Sequence, residues 1–249
     1  MIICKSPAEI ERLRRSGKMA RGLLDELRES AQPGVSTWDV EKYLEKRIAQ
    51  LGARPAFKGY RGYPCCLCAS VNSEVIHGIP SERRLQLGDI LSLDLGVVVD
   101  GYYGDSAITV PVGEIPETTQ RLLRVTQEAL GLALDKARLG NRLGDISSAV
   151  QRHVEANGYS VVREFVGHGI GRELHEEPQV PNFGQPGRGP VLKQGMVLAI
   201  EPMVNAGGAA VRVLPDNWTA VTADGTLSAH FEHMVAVSRN GPDILTLQP

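Results

Sequence analysis

Apolar residues recur at helical spacing in two stretches near the start of the chain. Ile10, Leu13, Leu24 and Leu27 fall near one helical face. Ser6-Pro7-Ala8-Glu9 supplies the start, with Ser6 as N-cap, Pro7 at the first helical position and Glu9 completing a capping box. This helix ends before Pro33-Gly34. Val40, Leu44, Ile48 and Leu51 predict a second helix over roughly residues 37–51, with Gly52 as its C-cap. From about residue 67 to 111 the pattern becomes strand-like. Pro116 then opens a third helix, to about residue 138, and a fourth runs from an Asp145 cap to Asn157-Gly158. Short strands fill the remainder. No linker, charge run or low-complexity tract divides the chain, so residues 1–249 are read as one domain of the α+β class.

The order helix, helix, strands occurs twice, and the two halves align. At an offset of 106, Gly34, Asp39, Val40, Leu44, Ile48 and Gly52 fall on Gly140, Asp145, Ile146, Val150, Val154 and Gly158. At an offset of 107, residues 85–94 fall on residues 192–201, so that Gly88 meets Gly195 and the acid Asp94 meets the acid Glu201. An internal duplication is expected, with halves of about 1–112 and 113–249 packed about a pseudo-twofold axis. An acid from each half then lies near that axis.

Composition narrows the class. The chain carries 27 Lys+Arg against 29 Asp+Glu, a net charge of −2, and neither half is basic. That argues against nucleic acid as a ligand. A hydrophobic fraction of 42% with 22% charge is that of a globular protein and excludes disorder. The longest apolar run, Leu91 to Val99, is broken by Ser92 and Asp94 and falls short of the roughly 18–20 residues of a membrane helix. The first residues hold no apolar stretch of signal-peptide length. A cytoplasmic protein with no membrane partner is expected. In a reducing compartment Cys4, Cys65, Cys66 and Cys68 are expected to be free thiols. Cys65-x-x-Cys68 lacks the second ligand pair of a zinc site, and its flanks read as loop and strand rather than the helix start of a redox motif.

The candidate chemistry lies in carboxylates placed where a core should be. Asp94 interrupts the buried-strand pattern Ile90–Val99, and Asp100-Gly101 reads as a two-residue hairpin turn. In that register Val99 faces Tyr102, Asp94 pairs with Ala107, and Asp105 lies diagonally on the same face. Glu201 repeats the anomaly after Met196–Ile200, and Glu232 does so within His230–Val237. Buried carboxylates need compensation, which a divalent cation supplies. On a strand, Glu232 would share its face with His230 rather than His233, which makes His230 a rival ligand. His153 lies on a helix and is expected at the surface. His168 and His175 lie in Gly167-His168-Gly169-Ile170-Gly171-Arg172-Glu173-Leu174-His175, a run that is neither a phosphate loop nor H-E-x-x-H. Its glycines are expected to let backbone pack closely around a ligand. His77 opens His77-Gly78-Ile79-Pro80 at a strand end.

Taken together, these segments resemble the methionine aminopeptidases of the pita-bread fold, in their type I, bacterial form. The likeness rests on Val75–Pro80, Ser92–Gly96, Gly101–Asp105, Gly167–Gly171, His175–Pro178, Ala199–Met203 and Phe231–His233 and covers nearly the whole chain. The resemblance implies two pseudo-symmetric helix-helix-strand halves around a central antiparallel sheet. It also implies two divalent metal ions, Co, Mn, Fe or Zn, held by Asp94, Asp105, His168, Glu201 and Glu232. Asp105 and Glu232 would bridge the metals, and His230 drops out as a ligand. Glu201 would carry the proton, while His77 and His175 would hydrogen-bond the substrate. Tyr60, Tyr63, Cys68 and Trp218 would line the methionine pocket. The implied activity is removal of an initiator methionine from a peptide or nascent-chain N-terminus when the second residue is small. The implied enzyme is a monomer that contacts the ribosome transiently. The chain departs from the family at Leu174, where an aromatic residue is expected, and at Cys65 and Cys66 beside the pocket. Two other readings are a Pro-specific peptidase of the same fold, which shares the five ligands, and a metal-free binding relative.

Overall fold

A computed structural model describes residues 1–247. Among these residues four α-helices form: α1 (Pro7–Ser30), α2 (Thr37–Gln50), α3 (Glu117–Lys136) and α4 (Leu143–Ala156). The capping box at Ser6 and Glu9 is present in full. The first turn of α2 carries a second one, between Ser36 and Asp39. Leu51 lies beyond the last turn of α2 and is exposed, so it does not belong to the buried face. Helix α4 begins earlier than predicted. Its N-cap is Arg142, whose backbone N–H donates to the Asp145 carboxylate at 2.7 Å, so Asp145 sits inside the first turn instead of before it. His153 lies at the surface as expected, half-buried, with its Nε2 2.9 Å from Glu128 Oε2 on the neighbouring α3.

Among the described residues every strand pair is antiparallel. The long hairpin Ile90–Val99/Tyr102–Pro111 has the predicted register, with Asp94 opposite Ala107, Gly96 opposite Asp105 and Val99 opposite Tyr102. Leu67–Val71 and Arg54–Pro55 pair end to end along the other edge of Ile90–Val99, opposite Tyr102–Pro111, and complete a four-stranded sheet. A five-stranded sheet runs in the order Gly241–Ile244, His233–Ser238, Val197–Ile200, Gly167–Gly169, Glu176–Val180. The two sheets meet where Tyr102–Pro111 passes residues 230–232. There the Glu232 N–H donates to Ala107 O at 2.9 Å, and the Ser106 hydroxyl donates to Glu232 O at 2.9 Å. Helix α1 lies across the hairpin, with the Ser16 hydroxyl donating to Tyr103 O at 3.0 Å.

The aligned positions of the two halves repeat the same local geometry. Gly34 N–H donates to Leu85 O, and Gly140 N–H to Leu192 O. Ser36 bridges Arg84, and Arg142 bridges Val191. One apolar cluster runs through both halves and includes Leu24, Leu44 and Leu91 with Ile146, Val150 and Leu198. A second, with Tyr63, Cys68, Leu174 and Met234, lies under the cavity described next.

Candidate metal centre

A cavity of about 290 Å³ opens between the two sheets. Asp94, Asp105, His168, Glu201 and Glu232 all line it, and each is buried. Asp94 and Asp105 project from facing strands of the hairpin, two steps apart on one face. His168 sits in the middle strand of Gly167–Gly169, between the strands Val197–Ile200 and Glu176–Val180. The glycines beside it serve those neighbours rather than a ligand. A Cβ on Gly167 would lie 2.4 Å from Ala199 O, and one on Gly169 2.3 Å from Glu177 O. Glu201 follows directly on the end of Val197–Ile200. Glu232 is not on a strand, as the sequence pattern suggested. The chain breaks between Ser228–His230 and His233–Ser238, so strand alternation does not decide its neighbours.

The donor atoms converge. One ligand atom each from Asp105, His168 and Glu232 lies within 4.8 Å of the others. His168 Nδ1 donates to Gly169 O at 2.9 Å, which leaves the Nε2 lone pair facing inward. Nε2 stands 3.7 Å from Asp105 Oδ2 and 3.5 Å from Glu201 Oε1. Asp94 Oδ1, Asp105 Oδ1 and Glu232 Oε1 are buried without any hydrogen-bond partner. Burial, and after it the charge of Asp105, pushes the Asp94 carboxyl well above its usual range. Burial does the same to Glu201 and Glu232, followed by the charges of the neighbouring acids, and it raises Asp105 as well. Burial holds His168 down at about 3, helped by His175. Leaving such charges unpaired costs several kcal/mol per ion. Orphaned carboxylate oxygens around one inward imidazole are a donor set that fits hard or borderline divalent cations.

The remaining walls are aromatic and apolar. Tyr60 Oη lies 2.7 Å from His175 Nδ1, and the His175 ring is 4.2 Å from that of His168. Tyr63 offers only its ring, because its hydroxyl donates to Leu67 O and Gly78 O. Its ring meets Trp218 edge-on at 5.1 Å. Cys68 pairs with Asp94 across the strands and lines the cavity, whereas Cys65 and Cys66 do not. Cys66 instead starts the segment whose N–H groups, with those of Leu67, donate to the buried Glu41 carboxylate of α2. Burial raises the thiols of Cys65 to about 11 and Cys66 to about 12, so both stay protonated near neutral pH. Leu174 lies in the wall at the position where an aromatic side chain was expected.

His77 has a φ of +60°, a strained value for a non-glycine residue, held by the pinned turn that follows. Gly78 donates to Ser70 Oγ and accepts from Ala69 N–H, and a Cβ on it would meet Ala69 O at 2.5 Å. Burial, followed by His175, lowers His77 to about 4, so the ring is neutral. Phe57, Arg61, Ile76 and Phe165 also line the cavity and were not foreseen. Arg61 sits in a tight turn with a φ of +50°, a conformation that nothing in its side chain announces. Phe165 packs edge-on to His77 from a loop between strands, where no periodicity exists to read.

Comparison with known proteins agrees with this geometry. Residues 11–239 match metallopeptidase family M24. A methionine aminopeptidase of Clostridium perfringens is 53% identical over 247 residues, covering 99% of each chain. Methionine aminopeptidase 1 of Bacillus subtilis is 51% identical, again over 99% of each. The crystal structure of a methionine aminopeptidase from Thermotoga maritima superposes over the whole of both chains with a TM-score of 0.98 at 49% identity. The match in sequence, fold and length shows that the chain belongs to metallopeptidase family M24.

Proposed function

We propose that this protein is a methionine aminopeptidase that removes an N-terminal methionine from peptides and newly made proteins when the second residue is small. The observation that supports this most directly is the convergence of four buried carboxylates and His168 on one cavity with an aromatic and thiol-lined end. Asp94, Asp105, His168, Glu201 and Glu232 are the residues that would hold two divalent cations of the Mn, Fe, Co or Zn type. Such cations, when bound, lower the pKa of water and polarise a carbonyl.

The protein's own groups do the rest. Glu201 takes a proton from the attacking water and delivers it to the departing amine nitrogen. His175, oriented through its contact with Tyr60, faces the carbonyl oxygen as negative charge develops there. His77, held neutral, offers a hydrogen bond to the substrate without adding charge. Tyr60, Tyr63, Cys68 and Trp218 enclose the methionine side chain, whose thioether packs well against aromatic edges. Leu174 contributes apolar surface to the same wall.

The test is release of free methionine from Met-Ala-Ser by chelator-stripped protein, with and without added Mn or Co, for wild type and Asp105→Asn. Metal-dependent release that the substitution abolishes is the expected result. No release by metal-loaded wild type would end this reading. Cleavage of Ala-Pro-Ala in place of Met-Ala-Ser would replace it with a Pro-specific peptidase.

A further inference from the structure

Among the described residues, four buried side-chain atoms lack any hydrogen-bond partner. Three belong to the carboxylates of the centre, and the fourth is His230 Nε2. His230 is 1% exposed and is not among the residues lining the cavity. Its ring is therefore not placed to touch a substrate. It stands behind Glu201, with Nε2 3.7 Å from Glu201 Oε2, while the other oxygen, Oε1, faces His168 Nε2 at 3.5 Å. Two imidazoles thus bracket one carboxylate.

The mount of His230 is rigid. Its N–H donates to Thr109 Oγ1 at 2.8 Å, and the Thr109 hydroxyl donates to its carbonyl at 2.8 Å. Thr109 lies on the hairpin strand that also carries Asp105. The residue following its strand is Phe231, where the chain breaks toward Glu232. These bonds fix the backbone from which the buried imidazole projects toward Glu201. A gap of 3.7 Å is too long for a hydrogen bond. Closing it takes a movement of Glu201 of less than about 1 Å, within the freedom of its terminal torsion.

We propose that His230 is a positioning residue for Glu201, its Nε2–H holding Oε2 so that Oε1 is the oxygen presented to the cavity. The inference rests on Glu201 being the proton carrier proposed above. A carrier must aim the same lone pair first at the attacking water and then at the amine nitrogen. A free carboxylate rotates, and a misplacement of about 1 Å can cost on the order of 10²-fold in rate. Residues behind a ligating carboxylate also tune metal affinity, typically by about 10–100-fold.

The experiment compares His230→Leu, which removes the donor, with His230→Gln, whose amide N–H reaches a similar distance. Two measurements are made: steady-state kinetics (kcat and KM) for Met-Ala-Ser at saturating Mn, and Mn affinity by calorimetric titration. His230→Leu should lower kcat by about 10–100-fold with KM within about twofold of wild type. It should also weaken Mn binding. His230→Gln should restore both to within about fivefold. An unchanged kcat and Mn affinity in His230→Leu overturns the proposal, as does a His230→Gln protein no better than His230→Leu. If His230→Leu fails to fold by circular dichroism, His230→Asn takes its place. Its shorter amide does not reach, and it should be impaired where His230→Gln is not. A wild type that releases no methionine would sink the enzymatic reading instead, and the Mn titrations would still decide the role of His230.

Discussion

At the scale of single residues, the site joins groups that would not stay buried alone. His175→Ala removes the donor proposed to face the developing oxyanion, and kcat for Met-Ala-Ser should fall by about 10²–10³-fold with little change in KM. A comparable rise in KM at constant kcat would assign His175 to ground-state binding instead. His77 makes a prediction in pH. Its pKa is about 4 in the fold against 6.5 when free, so between those values the unfolded chain binds the extra proton. The stability owed to neutral His77 is complete above about pH 6.5 and drains away as pH falls toward 4. Urea titrations of His77→Gln between those limits should show a shallower acid loss than wild type, by up to one proton or about 1.4 kcal/mol per pH unit. Equal slopes would mean that His77 is not held neutral. Asp94, Glu201 and Glu232 are legible in the sequence because each breaks an apolar run, and Asp105 because the hairpin register sets it diagonal to Asp94. Arg61 and Phe165 were not, since the cavity reaches them through a turn and a loop that have no repeat to read.

At the scale of elements, hydrogen bonds to buried acids set where strands begin. Glu41 of α2 accepts the N–H groups of Cys66 and Leu67 at 2.8 and 2.9 Å and so fixes the entry of the strand that carries Cys68 into the cavity wall. Burial raises its pKa, and these two N–H groups counter the rise. Glu41→Ala leaves both donors buried and unmet, and should cost about 2–4 kcal/mol by denaturant midpoint. A loss under about 0.5 kcal/mol would show that water replaces the carboxylate. The long hairpin was readable to the residue because Asp100-Gly101 fixes its turn and the turn fixes its register. The start of α4 was misjudged because Asp145 serves equally well inside a first turn as before it, and only the Arg142 N–H shows which. Glu232 was misjudged for a related reason. Strand alternation does not extend across Phe231-Glu232, where the structure changes from one strand to another.

At the scale of the whole molecule, the centre lies on the seam between the aligned halves. Asp94 and Asp105 come from the first, and His168, Glu201 and Glu232 from the second. We read the matched hydrogen bonds at Gly34/Gly140 and the matched bridges at Ser36/Arg142 as the trace of an internal duplication, a relation the offsets in the sequence already suggested. Metal should therefore tie the halves together. With Mn at about 100 times its dissociation constant, binding adds about 2.7 kcal/mol, and chelation should lower the melting temperature by roughly 5–10 °C. Asp105→Asn should melt at the same temperature with and without Mn. A chelator effect that survives in that variant would place the stabilising ion elsewhere.

The position of the seam has a consequence for the order in which the chain is made. The first two acids leave the ribosome more than sixty residues before His168, and Glu232 emerges last of the five. The Ala107 and Thr109 partners of the 230–232 segment wait on a strand completed long before. Throughout synthesis the hairpin thus presents carboxylates with no cation cage around them, and a chain stopped short of residue 232 would lack part of the donor set. Hydrolytic competence would then wait for Glu232, so products truncated before it would not carry an unguarded peptidase activity.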